Sequence, residues 1–218
     1  MDYNHDIINA VLGLIIIADL TLLAAERQIQ RLRIIAFQGA LLGAMPILMH
    51  SQGFTDVYIV CMGLVFLTIK AVILPYLLYR TYRHLPHMRP TKPYLGNTGC
   101  LLAGLLAFAL ALWLNQRLGL SANPLFNTVF PSAFTTIITG LLLIVTRKNA
   151  LTQVFGYLSI ENGIYLLGVP MASADALWIE LTVLLDILVG VFVMGIAIHH
   201  IHREFDSTDV NNFSSLKG

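Results

Sequence analysis

The chain has 218 residues, 57% of them hydrophobic and 11% charged, with a formal net charge of +1 and a mean hydropathy of +0.76. Soluble domains carry about 25% charged residues, so this chain cannot cover a water-facing surface and reads as an integral membrane protein. The near-balanced charge and the lack of a basic run exclude a nucleic-acid-binding surface.

The N-terminal MDYNHD is acidic and has no basic n-region, so the first apolar run reads as a span and not a cleaved signal peptide. Seven stretches approach the roughly 20 apolar residues that a bilayer requires. They are placed at 7–25, 34–50, 57–79, 98–115, 129–146, 150–169 and 176–199. The fifth is weakened by Pro131 and several threonines. The fold class expected is all-α, a polytopic membrane protein of about seven transmembrane helices.

Orientation follows from the basic residues. Arg27, Arg31, Arg33, Arg80, Arg83, Arg89, Lys92, Arg147, Lys148, Arg203 and Lys217 fall on one side of a seven-span arrangement. Arg117 alone falls on the other, and Lys70 lies inside a span. This bias places the N-terminus outside and the C-terminus in the cytoplasm, in a multi-pass arrangement. The segment HLPHMRPTKPYLGN holds three prolines and reads as a cytoplasmic linker. The chain then divides into a three-helix membrane region (1–83), the linker (84–97), a fourth helix with an outer loop (98–128), a second three-helix region (129–203) and a cytoplasmic tail (204–218). A faint echo links Phe37-Gln38-Gly39 and Lys70 with Phe155-Gly156 and Asp186, as an internal duplication would.

Five ionisable residues fall within these spans: Asp19, Lys70, Glu161, Glu180 and Asp186. A charge at mid-bilayer costs about 2.5–3.5 kcal/mol on insertion scales, so each needs a partner, water or a neutral form. At a rise of about 1.5 Å per residue, Glu161 lies roughly 16 Å into its span, Asp186 roughly 15 Å and Lys70 roughly 20 Å, all near the midplane. Two acids and a base at one depth are the stations that a proton path needs. Lysine suits such a path because it exchanges its proton, whereas arginine stays charged. Glu180 and Asp186 are six residues apart and point about 120° from each other, so Glu180 would stand at the outer end of the path. Asn162 would orient Glu161 or hold water beside it. Gly156 and Gly163 would let neighbouring helices approach.

Each of these residues also has a structural reading. Glu161 and Asp186 could form static hydrogen bonds between helices, Lys70 a structural ion pair, and Asp19 a local cap or ion pair. Glu180 could simply face outer water. Pro75 removes a backbone hydrogen bond and would bend the third span beside Lys70. His199, with His200 and His202, closes the last span and reads as an interfacial cluster, with metal binding as the cluster's functional alternative and His199 as a candidate relay residue. Cys61 and Cys100 lie in apolar segments without metal or iron–sulfur spacing. No nucleotide loop, catalytic triad or zinc spacing is present.

Several stretches resemble a known family. TRKNALTQVFGYLSIENGIYLL, IELTVLLDILVGVFVMGIAIHHIHR and the terminal DVNNFSSLKG resemble the hydrogenase-4 component E family, as does FLTIKAVILPYLL around Lys70 and Pro75. The last three helices are similar to the K subunit of respiratory complex I and the C subunit of Mrp-type cation/proton antiporters. The resemblance implies a membrane subunit of an energy-converting hydrogenase of the bacterial cytoplasmic membrane. Its implied partners are antiporter-like membrane subunits, a heel membrane subunit, and hydrogenase subunits carrying the [NiFe] site and iron–sulfur clusters, and it implies a non-catalytic role without a cofactor for this chain. It assigns Glu161 and Asp186 to the family's two intramembrane carboxylates, with aspartate where complex I uses glutamate. Subunits of a cation/proton antiporter would carry the same carboxylates, and a purely structural scaffold would use them as helix glue. A retinal protein or receptor is disfavoured, because the last span has no lysine.

Overall fold

The computed structural model describes residues 2–49, 57–83, 95–118, 124–147, 150–168 and 170. All the secondary structure among them is helical: α1 (Asp2–Ala24), α2 (Gln28–Met49), α3 (Val57–Thr68), a π-helical turn (Ile69–Ile73), α4 (Leu74–Arg83), α5 (Asn97–Arg117), α6 (Pro124–Thr146) and α7 (Ala150–Gly168). With α3, the π turn and α4 continuous, these form six rods. Among the described residues four stretches are long and apolar enough to cross a membrane: His5–Ala24, Gly63–Arg80, Asn97–Arg117 and Phe126–Thr146. The 23 residues of α1 extend about 34 Å at 1.5 Å each, matching a hydrocarbon core about 30 Å thick. The expected seventh span, 176–199, lies outside the described residues.

Proline shapes two rods in different ways. Within α6, Pro131 has no N–H to give the carbonyl of Asn127, one turn back. The Asn115 side chain of α5 takes that carbonyl at 3.0 Å, so a neighbouring helix restores the lost bond. Two of the threonines that weakened this span in the sequence are satisfied within their own helix. Thr135 donates to the Pro131 carbonyl at 2.7 Å and Thr146 to the Leu142 carbonyl at 2.5 Å. Around Pro75 the chain instead widens: the Leu74 N–H reaches back five residues to the Ile69 carbonyl, giving the π turn that contains Lys70.

The α6–α7 seam depends on glycine. A β-carbon on Gly140 would strike the Gly156 carbonyl oxygen, and one on Gly156 would lie 2.6 Å from that of Gly140. Gly163, two turns along α7 from Gly156, meets the Ala133 carbonyl in the same way at 2.8 Å. Both α7 glycines named above therefore serve close helix approach.

Two apolar clusters fill the bundle. One gathers Leu22, Leu23, Leu32, Ile35, Leu74, Leu78, Cys100, Leu143, Val154, Phe155 and Leu158. The other gathers Ile8, Leu12, Ile15, Leu42, Met45, Val129, Ala133, Tyr165 and Leu166. At the end beyond the first cluster the basic turns meet. Arg31 donates to the Ala25 carbonyl at 2.5 Å and to Thr152 at 3.1 Å, tying the α1–α2 turn to α7. Arg147 donates to Asn97 at 2.8 Å, and Asn97 donates to Glu26 at 3.0 Å, joining the starts of α2 and α5 to the end of α6.

Candidate functional site

Between the two apolar clusters lies a buried polar layer. Along α1 the order is Ile15, Asp19, Leu22; along α2 it is Ile35, Gln38, Leu42. In α6 it is Ala133, Thr136, Leu143, and in α7 it is Leu158, then Ser159, Glu161 and Asn162, then Tyr165. Each of these four helices changes from one apolar cluster to the other across this layer. It is where side-chain polarity has no solvent to turn to.

The centre of the layer is an ion pair. Lys70 Nζ lies 2.7 Å from Glu161 Oε1, and the two residues are 3% and 1% exposed. The lysine also donates to Asn162 Oδ1 at 3.0 Å. An ammonium has only hydrogens to offer, so the amide must present its oxygen. The Tyr165 ring, one turn along α7, faces the ammonium with its centroid 6.0 Å away. α2 packs directly on the turn that carries the lysine. A β-carbon on Gly39 would lie 2.9 Å from the Lys70 carbonyl oxygen, and one on Gly43 2.8 Å from the Leu67 Cα. The π turn, Gly39 and the α6–α7 glycines together set the position of Nζ against α7.

A second cluster surrounds Asp19, which is completely buried. Gln38 Nε2 donates to Asp19 Oδ1 at 2.8 Å, and Thr136 Oγ1 lies 2.7 Å from Asp19 Oδ2. Ser159 donates to the Thr136 carbonyl at 3.1 Å. Asp19 is neither a cap nor an ion-pair partner among the described residues, contrary to the structural reading its sequence context suggested. Gln38, Thr136 and Ser159 were not selected from sequence for this layer. Being uncharged they carry little insertion penalty, and only their shared depth identifies them.

Of the sequence candidates, then, Lys70, Glu161 and Asn162 come together and Asp19 lies in a neighbouring cluster. Glu180, Asp186 and His199 lie outside the described residues. Among the described residues no group of three His, Cys, Asp or Glu side chains is arranged to hold a metal.

The NADH-ubiquinone/plastoquinone oxidoreductase chain 4L family matches residues 128–218, which include α7 and its Glu161. An uncharacterized protein of Mycobacterium tuberculosis, Rv0085, is 30% identical over 188 residues, covering 85% of this chain and 84% of that protein. Hydrogenase-4 component E of Escherichia coli K12 is 29% identical over 149 residues, 68% of this chain and 69% of its own. The chain is a homologue of hydrogenase-4 component E and carries a domain of the oxidoreductase chain 4L family over residues 128–218. The Shigella flexneri hydrogenase-4 component E matches to the same extent. No solved structure matches the chain significantly. By these two relationships and its apolar helices the chain is a multi-pass membrane protein and a membrane subunit of a complex I-related assembly.

Proposed function

We propose that this chain carries protons through the membrane arm of a group 4 energy-converting [NiFe] hydrogenase of the hydrogenase-4 or formate hydrogenlyase type. The observation that carries this reading is the buried Lys70–Glu161 contact at 2.7 Å, inside a layer crossed by four helices. A proton on that line can sit on nitrogen, giving ammonium and carboxylate, or on oxygen, giving amine and carboxylic acid. The second form carries no net charge on either group, and charge is what the bilayer interior penalises. The pair can therefore accept, hold and release one proton. A static hydrophobic seam would hold the helices without it.

In this reading Asn162 orients the ammonium towards Glu161. The path continues through Asp186 and Glu180 of the following helix, with His199 at its far end. Redox energy comes from partner subunits that carry the [NiFe] site and iron–sulfur clusters, and this chain binds no cofactor. Its membrane neighbours are the heel subunit and antiporter-like subunits, in the bacterial cytoplasmic membrane, with the basic end of the bundle facing the cytoplasm.

The test is Glu161→Gln in the whole complex. The substitution keeps the shape and a hydrogen-bond acceptor for Lys70 but cannot exchange a proton. Assembly, judged by co-purification, is expected to persist at a lower melting temperature, because the ammonium loses its counter-charge but keeps an acceptor, while the proton movement accompanying hydrogenase turnover falls at least tenfold. Full coupling in a correctly assembled Glu161→Gln complex would rule out the relay and leave the helix-holding role.

A further inference from the structure

The hydrogen count around Asp19 does not balance if that residue is a carboxylate. Thr136 Oγ1 lies 2.7 Å from Asp19 Oδ2 and 2.8 Å from the Ser132 carbonyl oxygen. A hydroxyl has one hydrogen, so it can donate to only one of them. If it serves Asp19, then Thr136 Oγ1 and the Ser132 oxygen face each other with no hydrogen between them. A fully buried charge would then rest on two neutral donors. If Asp19 brings a proton on Oδ2, every contact is satisfied. Oδ2–H donates to Thr136 Oγ1, Thr136 donates to Ser132, and Oδ1 accepts from Gln38 Nε2.

No cation competes for the carboxyl among the described residues. α1 packs against α2, α5 and α6. α6 has no titratable side chain, and α5 has only Cys100 and Arg117. On α2, Arg31 is turned to the Ala25 carbonyl and Thr152, and Arg33 is exposed. Lys70, whose carbonyl lies against Gly39 of α2, is held by Glu161.

We infer that Asp19 holds a proton at rest and is a second proton-binding site of this chain, separate from the Lys70–Glu161 pair. On discharge the Oδ2–H bond breaks, its electron pair stays on oxygen and the proton passes to a water molecule. The Thr136 hydroxyl then turns from the Ser132 carbonyl to the new carboxylate. Gln38 Oε1, on the amide that grips Asp19, is fully buried and has no hydrogen-bond partner among the described residues, and so offers an acceptor to that water. The two sites are also joined mechanically. Gln38, which grips Asp19, immediately precedes Gly39, which rests on the Lys70 carbonyl. A charge appearing on Asp19 would tighten the Gln38 bond and shift α2 against the π turn.

The test is infrared difference spectroscopy of the purified complex at neutral pH, wild type against Asp19→Asn, in light and heavy water. The wild type is expected to show a carboxylic-acid carbonyl band that shifts down on deuteration, is absent in Asp19→Asn and persists in Glu161→Gln. Thr136→Val keeps the carboxyl but removes the acceptor of its proton, and should move the same band to higher frequency. This variant serves if Asp19→Asn fails to assemble. No loss of band in Asp19→Asn, or an unmoved band in Thr136→Val, would overturn the inference.

Discussion

At the scale of single residues, the bilayer makes every buried charge depend on its partner. Removing one member of a buried pair is far worse than removing both, because the survivor is left as an uncompensated charge. Lys70→Met should accordingly destabilise the protein by about 3–5 kcal/mol, read as a fall in the detergent-solubilised melting temperature. Adding Glu161→Gln to the same chain should recover most of that loss while leaving proton coupling absent. A double variant no more stable than Lys70→Met alone would mean that the pair contributes through something other than its charges. Lys70 and Glu161 were legible from sequence because an ionisable side chain amid apolar residues is conspicuous. Their contact was not, since 91 residues separate them.

At the scale of elements, small residues and proline partners decide how the helices meet. Gly140 and Gly156 bring α6 and α7 into backbone contact, so Gly140→Val should force them apart. Overpacking of this kind costs about 1–3 kcal/mol, measurable as a lower melting temperature and weaker recovery of the complex. Gly13, whose added β-carbon would meet nothing within 4 Å, provides the control. Gly13→Ala should be neutral or slightly stabilising, because alanine is the better helix former. Pro131 illustrates how far local reading extends. Its missing hydrogen bond is a property of the residue, but the remedy is the Asn115 side chain of another helix. The bend expected at Pro75 takes the form of a π turn, and the feature it shapes is the position of Lys70.

At the scale of the whole molecule, the turns at one end carry the basic side chains and the other end carries Arg117, which lies 5.7 Å from the Trp113 ring. If the basic end is cytoplasmic, single cysteines should report it in a chain whose Cys61 and Cys100 are replaced. Arg117→Cys is expected to react with a membrane-impermeant maleimide in intact cells. Arg83→Cys should react only after the membrane is opened. The reverse pattern would invert the topology and the direction assigned to the proton path. Arg31 and Arg147 reinforce this end structurally, since both are largely buried and donate to neighbouring segments.

The sequence by itself determined the solvent of this protein and its helical class, because composition and run length depend on no contact between distant residues. It also marked Lys70, Glu161 and Asp19, because the penalty for charge in hydrocarbon is a property of each residue and its neighbours along the chain. Only the tertiary structure decided which of them meet. Lys70 joins Glu161 and Asn162 because Gly39 and the π turn set its depth, while Asp19 turns to Gln38 and Thr136 instead. The uncharged members of the layer emerged only there as well. A lone Gln, Thr or Ser in a span is ordinary, and becomes part of a site when four helices bring such residues to the same level between two apolar clusters.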